Sequence, residues 1–196
     1  MSRPHPFQSK RLLFRAIEDS DDDFLHSVQS DPFAYANSSA RLHVPESMAA
    51  TKRWKKHVIE ESILAVVICL SPPELPGQSP EPPIPIGVIS LTASPAHVAH
   101  HRNSMISVDI VAAYQGKGYG SEAIRWALKW GFQTAGLHSI GIEAFGFNEG
   151  AVRLYARLGF KEEGRRRECL WYEGEWWDEV QFGMLDREWR EMVKWE

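Results

Sequence analysis

The fold is decided by the stretch Val108-Asp-Ile-Val-Ala-Ala-Tyr-Gln-Gly-Lys-Gly-Tyr-Gly-Ser121. Its first half is apolar and β-prone, its second half is rich in glycine, and apolar residues recur at helical spacing from Ser121 to Thr134. This pattern predicts a strand, a tight turn and a helix in succession. Glycine lets the backbone approach a ligand closely, and the free N–H groups at a helix N-terminus attract anions. The stretch therefore predicts a site for a phosphate or pyrophosphate.

Three phosphate-binding motifs can be compared with this turn. The phosphate loop of nucleoside triphosphatases follows G-x-x-x-x-G-K-[ST], but here Val111 stands where its first glycine is required. The dinucleotide fingerprint G-x-G-x-x-G fails because Ser121 takes the place of its third glycine. What remains is the pattern Gln115-x-x-Gly118-x-Gly120, for which a plain left-handed turn between a strand and a helix is the alternative interpretation.

A second motif lies downstream, in Asn148-Glu-Gly-Ala-Val-Arg-Leu-Tyr-Ala-Arg-Leu-Gly-Phe160. The glycine turn resembles the Q/R-x-x-G-x-G/A acyl-CoA motif of the GCN5-related N-acetyltransferases, the GNAT family. The downstream segment resembles the N-x-x-A-x-x-x-Y-x-x-x-G-F segment of the same family, at the spacing that the family uses. The resemblance covers roughly residues 14–185, and residues 164–180 are similar to the branch that acetylates ribosomal proteins and polyamines.

The resemblance implies an α/β (α+β) fold of the GNAT type. Its central sheet would be mixed but mostly antiparallel, flanked by helices and splayed between strands four and five to admit a ligand. It also implies acetyl-CoA as cosubstrate. We expect a loose N-terminus over residues 1–10 and a single N-acetyltransferase domain over residues 11–196, with a proline-rich loop inserted at residues 71–85.

The resemblance further implies which residues bind acetyl-CoA. The backbone N–H groups from Gly116 to Ser121 would hold the pyrophosphate, and Lys117 would either add charge or face solvent. Strand four, near Ile110, would pair with the pantetheine arm as a strand pairs with a strand. Asn148 would bind the same arm, with a helix N-cap as its alternative role. The expected cofactor-binding residues are Ile110, Gln115, Gly116, Lys117, Gly118, Tyr119, Gly120, Ser121 and Asn148.

Tyr155 is the candidate general acid. It lies nearly two helical turns beyond Asn148, so both side chains face the same side of their helix. A phenol with an ordinary pKa near 10 is protonated at neutral pH and can donate a proton to a leaving thiolate. The alternative is an amphipathic tyrosine of the core.

The attacking amine must lose a proton, because an ammonium has no lone pair. Asp109, Glu143 and Glu168 fall in predicted strands near the cleft and could take that proton directly or through water. We favour Asp109 because it lies on strand four, although a shift of one residue would reverse its direction. The alternative for each is a surface or paired carboxylate. Neither cysteine lies in a nucleophile motif, so we expect direct attack in a ternary complex.

The sequence determines the acceptor of the acetyl group less well than it determines the donor. Carboxylates and aromatic rings around the last predicted hairpin suit a cationic amine, and a solvated hairpin is the equal alternative. A polyamine, an amino acid, another aminated small molecule and a protein N-terminus all stay open, as does a homodimer. The cluster comprises Glu168, Glu173, Glu175, Asp178 and Glu179 with Trp171, Tyr172, Trp176 and Trp177.

Two other classes of protein compete with an enzyme. One is a non-catalytic acyl-CoA-binding or scaffold protein on the same fold. The other is a module that binds a partner through the proline-rich insertion, where Pro73-Glu-Leu-Pro76 fits the pattern P-x-x-P.

Composition narrows the classes further. The net charge of −4 argues against a nucleic-acid binder, which would usually show a basic face. We see no signal peptide over residues 1–10 and no run of about twenty apolar residues, so neither secretion nor a membrane span is expected. Cys69 and Cys169 predict buried free thiols in a cytoplasmic setting, with the nucleus left open. His97, His100 and His101 lack the spacing of a metal site, and none is expected.

The remaining pattern predicts the order β-α-α-β-β-β-α-β-α-β-β, which the GNAT family uses. Residues 18–23 would form a solvated acidic cap, and Pro32 would break the first helix. Pro45 would begin a second helix over residues 46–61. Its basic side predicts a solvated face or contact with an acidic substrate, and consists of Lys52, Arg53, Lys55 and Lys56.

Overall fold

A computed structural model describes residues 5–71 and 82–194 of the chain. Most of the proline-rich segment, including the P-x-x-P pattern at residues 73–76, lies outside the described residues. Among the helices that are described, none is both long and apolar enough to cross a membrane.

Seven strands form one sheet in the order β1-β2-β3-β4-β5-β7-β6. All neighbouring strands are antiparallel except β4 and β5, which are parallel. The predicted mixed, mostly antiparallel sheet is therefore confirmed. The strands are β1 (Leu12–Ala16), β2 (Ser62–Leu70), β3 (Ile84–Thr92), β4 (Asn103–Ile110), β5 (Ser139–Phe145), β6 (Lys161–Tyr172) and β7 (Glu175–Leu185).

Within residues 5–71 and 82–194, six α-helices flank the sheet, and the strand–turn–helix unit predicted around the glycine turn is confirmed. A π-helical turn over Trp130–Thr134 continues the helix that follows the glycine turn. The helices are α1 (Asp22–Ser30), α2 (Pro32–Ser38), α3 (Met48–Glu60), α4 (Tyr119–Lys129), α5 (Glu149–Arg157) and α6 (Asp186–Val193).

The core lies on the central strands and under α4. Val67 and Ile68 of β2 and Ile89 of β3 are fully buried, as the uninterrupted apolar runs predicted. Ile124 and Leu128 of α4 are also fully buried, because they repeat at helical spacing on the face that meets the sheet. This packing fixes the position of α4, whose N-terminus follows the glycine turn.

The sheet opens between β4 and β5. These strands pair only at Asn103↔Ser139, Ser104↔Ile140 and Met105↔Gly141. Beyond Met105, β4 pairs with β3 alone and β5 pairs with β7 alone. From residue 106 to residue 110, the edge of β4 that faces β5 therefore has no strand partner among the described residues. The predicted splay between strands four and five is confirmed.

The helices before β2 differ from the prediction. Asp31-Pro32 ends one helix but also begins another, α2, because the Asp31 side chain accepts hydrogen bonds from the N–H groups of Phe33 and Ala34. Pro32 needs no N–H partner at the first helical position. The expectation that Pro45 begins the next helix is wrong, since α3 begins at Met48 and is capped by Ser47.

The boundaries of two strands, β3 and β6, also differ from the prediction. Ile84 and Pro85, expected in the loop, belong to β3. Strand β6 is longer than predicted, because its first half is a charged edge strand without an apolar alternation. The hairpin predicted at Glu173-Gly174 is confirmed, with φ angles of 49° and 86° at these two residues.

Within the predicted acidic cap at residues 18–23, Asp21 is paired and buried rather than solvated, which corrects the prediction at this residue. Both carboxylate oxygens of Asp21 accept hydrogen bonds of 2.7 Å from Arg15, and Asp21 is buried. The Arg15 guanidinium holds the pKa of Asp21 below its ordinary value. The expectation for the thiols is only half right, since Cys69 is buried but Cys169 is partly exposed.

Replacing Phe14 by alanine should lower the free energy of unfolding by about 3–5 kcal/mol, because a buried aromatic ring would leave a cavity. The Phe14 ring is 2% exposed and stacks on Trp126 with their centroids 3.7 Å apart. Urea unfolding measures the loss. Phe33, which is 75% exposed, provides the control, and Phe33→Ala should change stability by less than about 0.5 kcal/mol. Equal losses for both variants would contradict the packing described.

Candidate active site

The glycine turn presents a helix N-terminus to the opening of the sheet. Gly116 and Gly118 have φ angles of 70° and 82°, a conformation that other residues rarely adopt. Gly118 is the N-cap of α4 and no side chain caps that helix. The first N–H groups of α4 are therefore available to an anion.

Arg11 of the segment leading into β1 holds this turn in place. Its Nη1 atom donates to the Lys117 carbonyl oxygen over 3.1 Å, and its guanidinium lies 4.5 Å from the centre of the Tyr119 ring. Its Nε atom donates to Glu122 of α4 over 2.7 Å, and Ser9 donates to the same carboxylate. Arg11 thus ties the turn to the segment before the edge strand β1, and it is a residue that sequence reasoning missed.

Two predicted ligand-binding side chains instead make contacts within the turn. The Lys117 ammonium donates to the Ala113 carbonyl oxygen over 2.8 Å. The Gln115 side-chain amide donates to the Ile110 carbonyl oxygen, also over 2.8 Å. These bonds explain how the two side chains shape the turn. The contact of Gln115 and Lys117 with a ligand stays a prediction.

Three cavities meet at Ser38, the last residue of α2. The first, which we call the turn cavity, has a volume of about 480 Å³ and lies between the glycine turn and α5. It brings together every predicted site residue except Lys117. These lining residues are Asp109, Ile110, Gln115, Gly116, Gly118, Tyr119, Gly120, Ser121, Asn148 and Tyr155.

The second cavity, the splay cavity, has a volume of about 310 Å³ and lies where β4 and β5 separate. Glu143, Tyr155 and Glu179 contribute to its wall. The third, the arginine cavity, has a volume of about 450 Å³ and lies on the far side of Ser38, where Arg41 and Arg53 line it. Because Tyr155 lines the turn and splay cavities and Asp109 lines the turn and arginine cavities, these two side chains stand at the junctions.

Asn148 begins α5 as its N-cap. Its side-chain oxygen accepts a hydrogen bond of 3.1 Å from the Ala151 N–H group. The side-chain N–H₂ group has no hydrogen-bond partner within the described parts of the chain and borders the turn cavity. The capping role is therefore confirmed, and the amide retains two donors for a ligand.

Tyr155 combines a buried ring with a hydroxyl that reaches the cavities. The ring is 7% exposed and packs edge-on against Phe182, with their centroids 5.8 Å apart. No hydrogen bond from a described residue engages the hydroxyl. Burial, followed by the negative charge of Asp109, raises the pKa of Tyr155 to about 12. The phenol is therefore fully protonated at neutral pH and free to donate.

The three candidate bases have different positions. Burial raises the pKa of Asp109, and the nearby Ser38 hydroxyl opposes this shift. Glu143 lies on β5, and burial together with the charge of Glu179 raises its pKa. Glu168 does not join them, because it lies on the edge strand β6 with β7 between it and the cleft. The expectation that Glu168 lies near the cleft is wrong.

The acidic and aromatic hairpin cluster is mostly remote from the cavities. Trp171 and Trp176 are 60% and 58% exposed and contact each other, with their centroids 5.0 Å apart. Of the five carboxylates, Glu179 alone lines one of the three cavities, and it pairs with Arg166 over 3.2 Å. The tip of the hairpin therefore fits the solvated alternative.

The predicted site does not include the lining contributed by α2 and the residues after it. Ala34 and Asn37 line the turn cavity because the capping carboxylate of Asp31 starts a helix there. An aspartate followed by proline is a helix-start signal as well as a break, and this signal could have located them.

Comparison with known proteins agrees with this geometry. A family profile described as "Acetyltransferase (GNAT) domain" matches residues 11–161. The chain is 37% identical over 76 residues to an uncharacterized N-acetyltransferase of Bacillus subtilis, YnaD, covering 39% of this chain and 45% of that protein. It is 35% identical over 78 residues to spermidine N(1)-acetyltransferase of Vibrio cholerae, covering 40% and 45%. Each of these matches spans less than half of the relative's length.

The fold also has solved counterparts. The chain is similar to the crystal structure of spermidine N-acetyltransferase from Vibrio cholerae in complex with CoA and spermine, with a TM-score of 0.75. The likeness covers 93% of this chain and 99% of that one at 23% sequence identity. At this identity the likeness shows a shared fold.

Replacing Arg11 by alanine should weaken the binding of coenzyme A by about 3- to 10-fold, because the turn would lose its charged link to β1. Isothermal titration with coenzyme A measures the change. Arg153 is a matched control, since it makes an exposed ion pair with Glu149 within α5. Arg153→Ala should leave the affinity unchanged. An Arg11→Ala protein that binds as tightly as the control would show that the turn holds its shape unaided.

Proposed function

The chain belongs to the GNAT acetyltransferase family, and from this premise we propose that it transfers the acetyl group of acetyl-CoA to a primary amine. The observation that carries the proposal is one cleft that combines an uncapped helix N-terminus, an unpaired strand edge and a buried, protonated phenol. Each of these three features meets a different part of the reaction.

Acetyl-CoA would bind along the turn cavity. Its pyrophosphate would accept hydrogen bonds from the N–H groups at the start of α4, where the helix dipole favours negative charge. Its pantetheine arm would lie along the free edge of β4, near Ile110, because an extended amide chain can replace the missing strand. The free N–H₂ group of Asn148 would hold the same arm. The thioester would then lie near Tyr155, where the sheet has opened.

The reaction would be a direct attack in a ternary complex. The amine nitrogen forms a bond to the thioester carbonyl carbon, the carbon–sulfur bond breaks, and the sulfur leaves with the electron pair. The ammonium loses one proton before the attack, and the nitrogen loses a second proton as the carbon–sulfur bond breaks. One of these protons is balanced by the proton that the thiolate receives, and the other is released to solvent, so the products are the amide, coenzyme A and one proton.

Tyr155 would donate the proton to the departing sulfur. A pKa of about 12 means that the phenol retains its proton until a strong base appears beside it. Asp109 would take the proton from the ammonium, directly or through water. Its raised pKa makes it a stronger base than an ordinary aspartate.

Residues 11–196 would act as a single N-acetyltransferase domain in this proposal. The rival of a non-catalytic acyl-CoA-binding protein has less support, because it gives no role to a buried phenol with an unengaged hydroxyl. The rival of a proline-recognition module depends on residues outside the described part of the chain.

Replacing Tyr155 by phenylalanine should lower kcat by about 10²- to 10⁴-fold, the usual range for loss of a general acid. The assay is thiol release from acetyl-CoA with a panel of polyamines, amino acids and peptides as acceptors. The KM for acetyl-CoA and the melting temperature should be unchanged, because the hydroxyl has no protein partner among the described residues.

Tyr172→Phe is the matched control, since Tyr172 lies on the hairpin against Phe147 rather than at the cleft. It should retain wild-type turnover. A wild-type protein that binds acetyl-CoA but releases no thiol with any amine would instead favour the non-catalytic rival.

Replacing Asp109 by asparagine should remove the inflection that the carboxylate gives to the acid limb of the pH–rate profile, leaving only the rise set by the amine. In the wild type the carboxylate must be unprotonated to accept a proton, so activity should fall as pH drops through its raised pKa. The variant should lose most of kcat and depend on pH only through the ionisation of the amine. The measurement is kcat/KM for one acceptor from pH 5 to pH 9.

Glu143→Gln is the control for this assignment. Its carboxylate has a raised pKa too, but it lies in the splay cavity on β5. If Glu143→Gln loses this inflection of the acid limb while Asp109→Asn keeps it, the two residues exchange roles and Glu143 is the base.

A further inference from the structure

We propose that the acceptor is a small amine that also carries an anionic group, a carboxylate or a phosphate, and that Arg41 and Arg53 bind that group. The inference rests on the proposed function of the cleft and adds the chemical class of its second substrate. It rests on the arginine cavity, whose two arginines take no part in the proposed binding of acetyl-CoA.

The arginine cavity is polar and adjoins the site of the chemistry. The end of α2 and the residues after it, one side of α3 and one side of β4 form most of its wall, and Ser38 and Asp109 line the turn cavity as well. Its volume of about 450 Å³ suits a small molecule. The charged or titratable residues that line it are Arg41, Glu46, Arg53, His57 and Asp109.

Arg53 differs from the other cations of α3. Lys52 and Lys55 pair with Asp22 over 3.1 Å and 2.6 Å, and Lys56 pairs with Glu60 over 3.8 Å. Arg53 has no ion-pair partner in residues 5–71 or 82–194 and lines the cavity. The basic side predicted for this helix is therefore divided into lysines paired with carboxylates and one arginine available to a ligand.

Arg41 adds a second guanidinium to the same cavity. It too lacks an ion-pair partner over the described ranges. Glu46 also lines the cavity, and its carboxylate accepts a hydrogen bond of 3.2 Å from Thr51. Two guanidiniums that face one space can grip a carboxylate or phosphate with paired hydrogen bonds, which a lysine cannot do as well.

Negatively charged carboxylates line the splay cavity, on the other side of Ser38 from the arginines. Glu143 and Glu179 line the splay cavity, and Glu179 is already compensated by Arg166. Ser38 and Ser107 line both the splay cavity and the arginine cavity, so the two spaces are neighbours across these residues. An ammonium near Glu143 and an anion between the arginines would therefore place the amine of one molecule beside Asp109 and Tyr155.

A polyamine fits this arrangement poorly. Its second ammonium would meet Arg41 and Arg53, which have no ion-pair partner among the described residues, with the Glu46 carboxylate as a weaker counterweight, and like charges repel. The splay cavity alone offers about 310 Å³ and one uncompensated carboxylate. The charges of the cleft therefore favour an amphoteric acceptor over a purely cationic one.

The test compares matched acceptors in the thiol-release assay. Each pair has the same amine with and without the anion: an α-amino acid against its α-amide, and phosphoethanolamine against ethanolamine, with spermidine beside them. We expect kcat/KM to be at least about 10-fold higher for an anionic member, and the pair that shows it identifies carboxylate or phosphate. Spermidine or the neutral amines performing as well as their anionic partners would overturn the proposal.

Variants assign the effect to the arginines. Arg53→Ala and Arg41→Ala should each raise the KM for the anionic acceptor by about 10- to 100-fold, the loss expected for one charged hydrogen-bond pair. The KM for acetyl-CoA and the rate with the neutral amine should stay the same, which also shows that the variants fold. Lys56→Ala, on the paired part of α3, is the control and should behave as wild type.

The outcomes separate this inference from the function on which it rests. Thiol release with neutral amines or spermidine and no preference for an anion would overturn the acceptor class and leave the acetyltransferase in place. No thiol release with any amine would overturn both. An unchanged KM for the anionic acceptor in Arg53→Ala and Arg41→Ala would remove the arginines from its binding.

Discussion

The structure depends on the early separation of β4 from β5. After three paired residues the strands diverge, and beyond them the edge of β4 that faces β5 pairs with no strand among the described residues. Backbone N–H and C=O groups inside a protein need partners, so an unpaired edge in the middle of a sheet favours a ligand that supplies them. The cleft is thus a consequence of sheet geometry, and the glycine turn and α5 place their groups at its two walls.

The opening is held by contacts that lie outside it. Arg11 ties the glycine turn to the segment that leads into β1, and Glu122 of α4 accepts from Ser9 as well as from Arg11. On the other wall, the Tyr155 ring is fixed by Phe160 and Phe182, which belong to the β5–β7–β6 half of the sheet or to its connection with α5. The polar groups of each wall are therefore positioned by contacts outside the space between the walls.

The parts that could be read from the sequence are those governed by local chemistry. Gly118 and Gly159 require left-handed backbone, and Asn148 is a good helix cap, so the turn and α5 were predicted where they lie. The parts that could not be read depend on distant partners. Arg11 and Arg41 look like ordinary surface cations in the sequence, and Arg53 is one of four cations on a helix side predicted to be solvated or to contact an acidic substrate. Only the folded chain shows that Arg11 anchors a turn and that Arg41 and Arg53 line a cavity.

The same desolvation acts on both proton-transfer groups of the proposed reaction, in opposite senses for their strength. Burial raises the pKa of any neutral acid, so it keeps the proton on Tyr155 and also makes Asp109 a better base. The negative charge of Asp109 adds to the raised pKa of Tyr155. When Asp109 accepts the proton of the amine, that charge disappears and the phenol becomes a stronger acid. The step that creates the nucleophile therefore prepares the group that must protonate the leaving sulfur, and a cleft that excludes water strengthens this coupling.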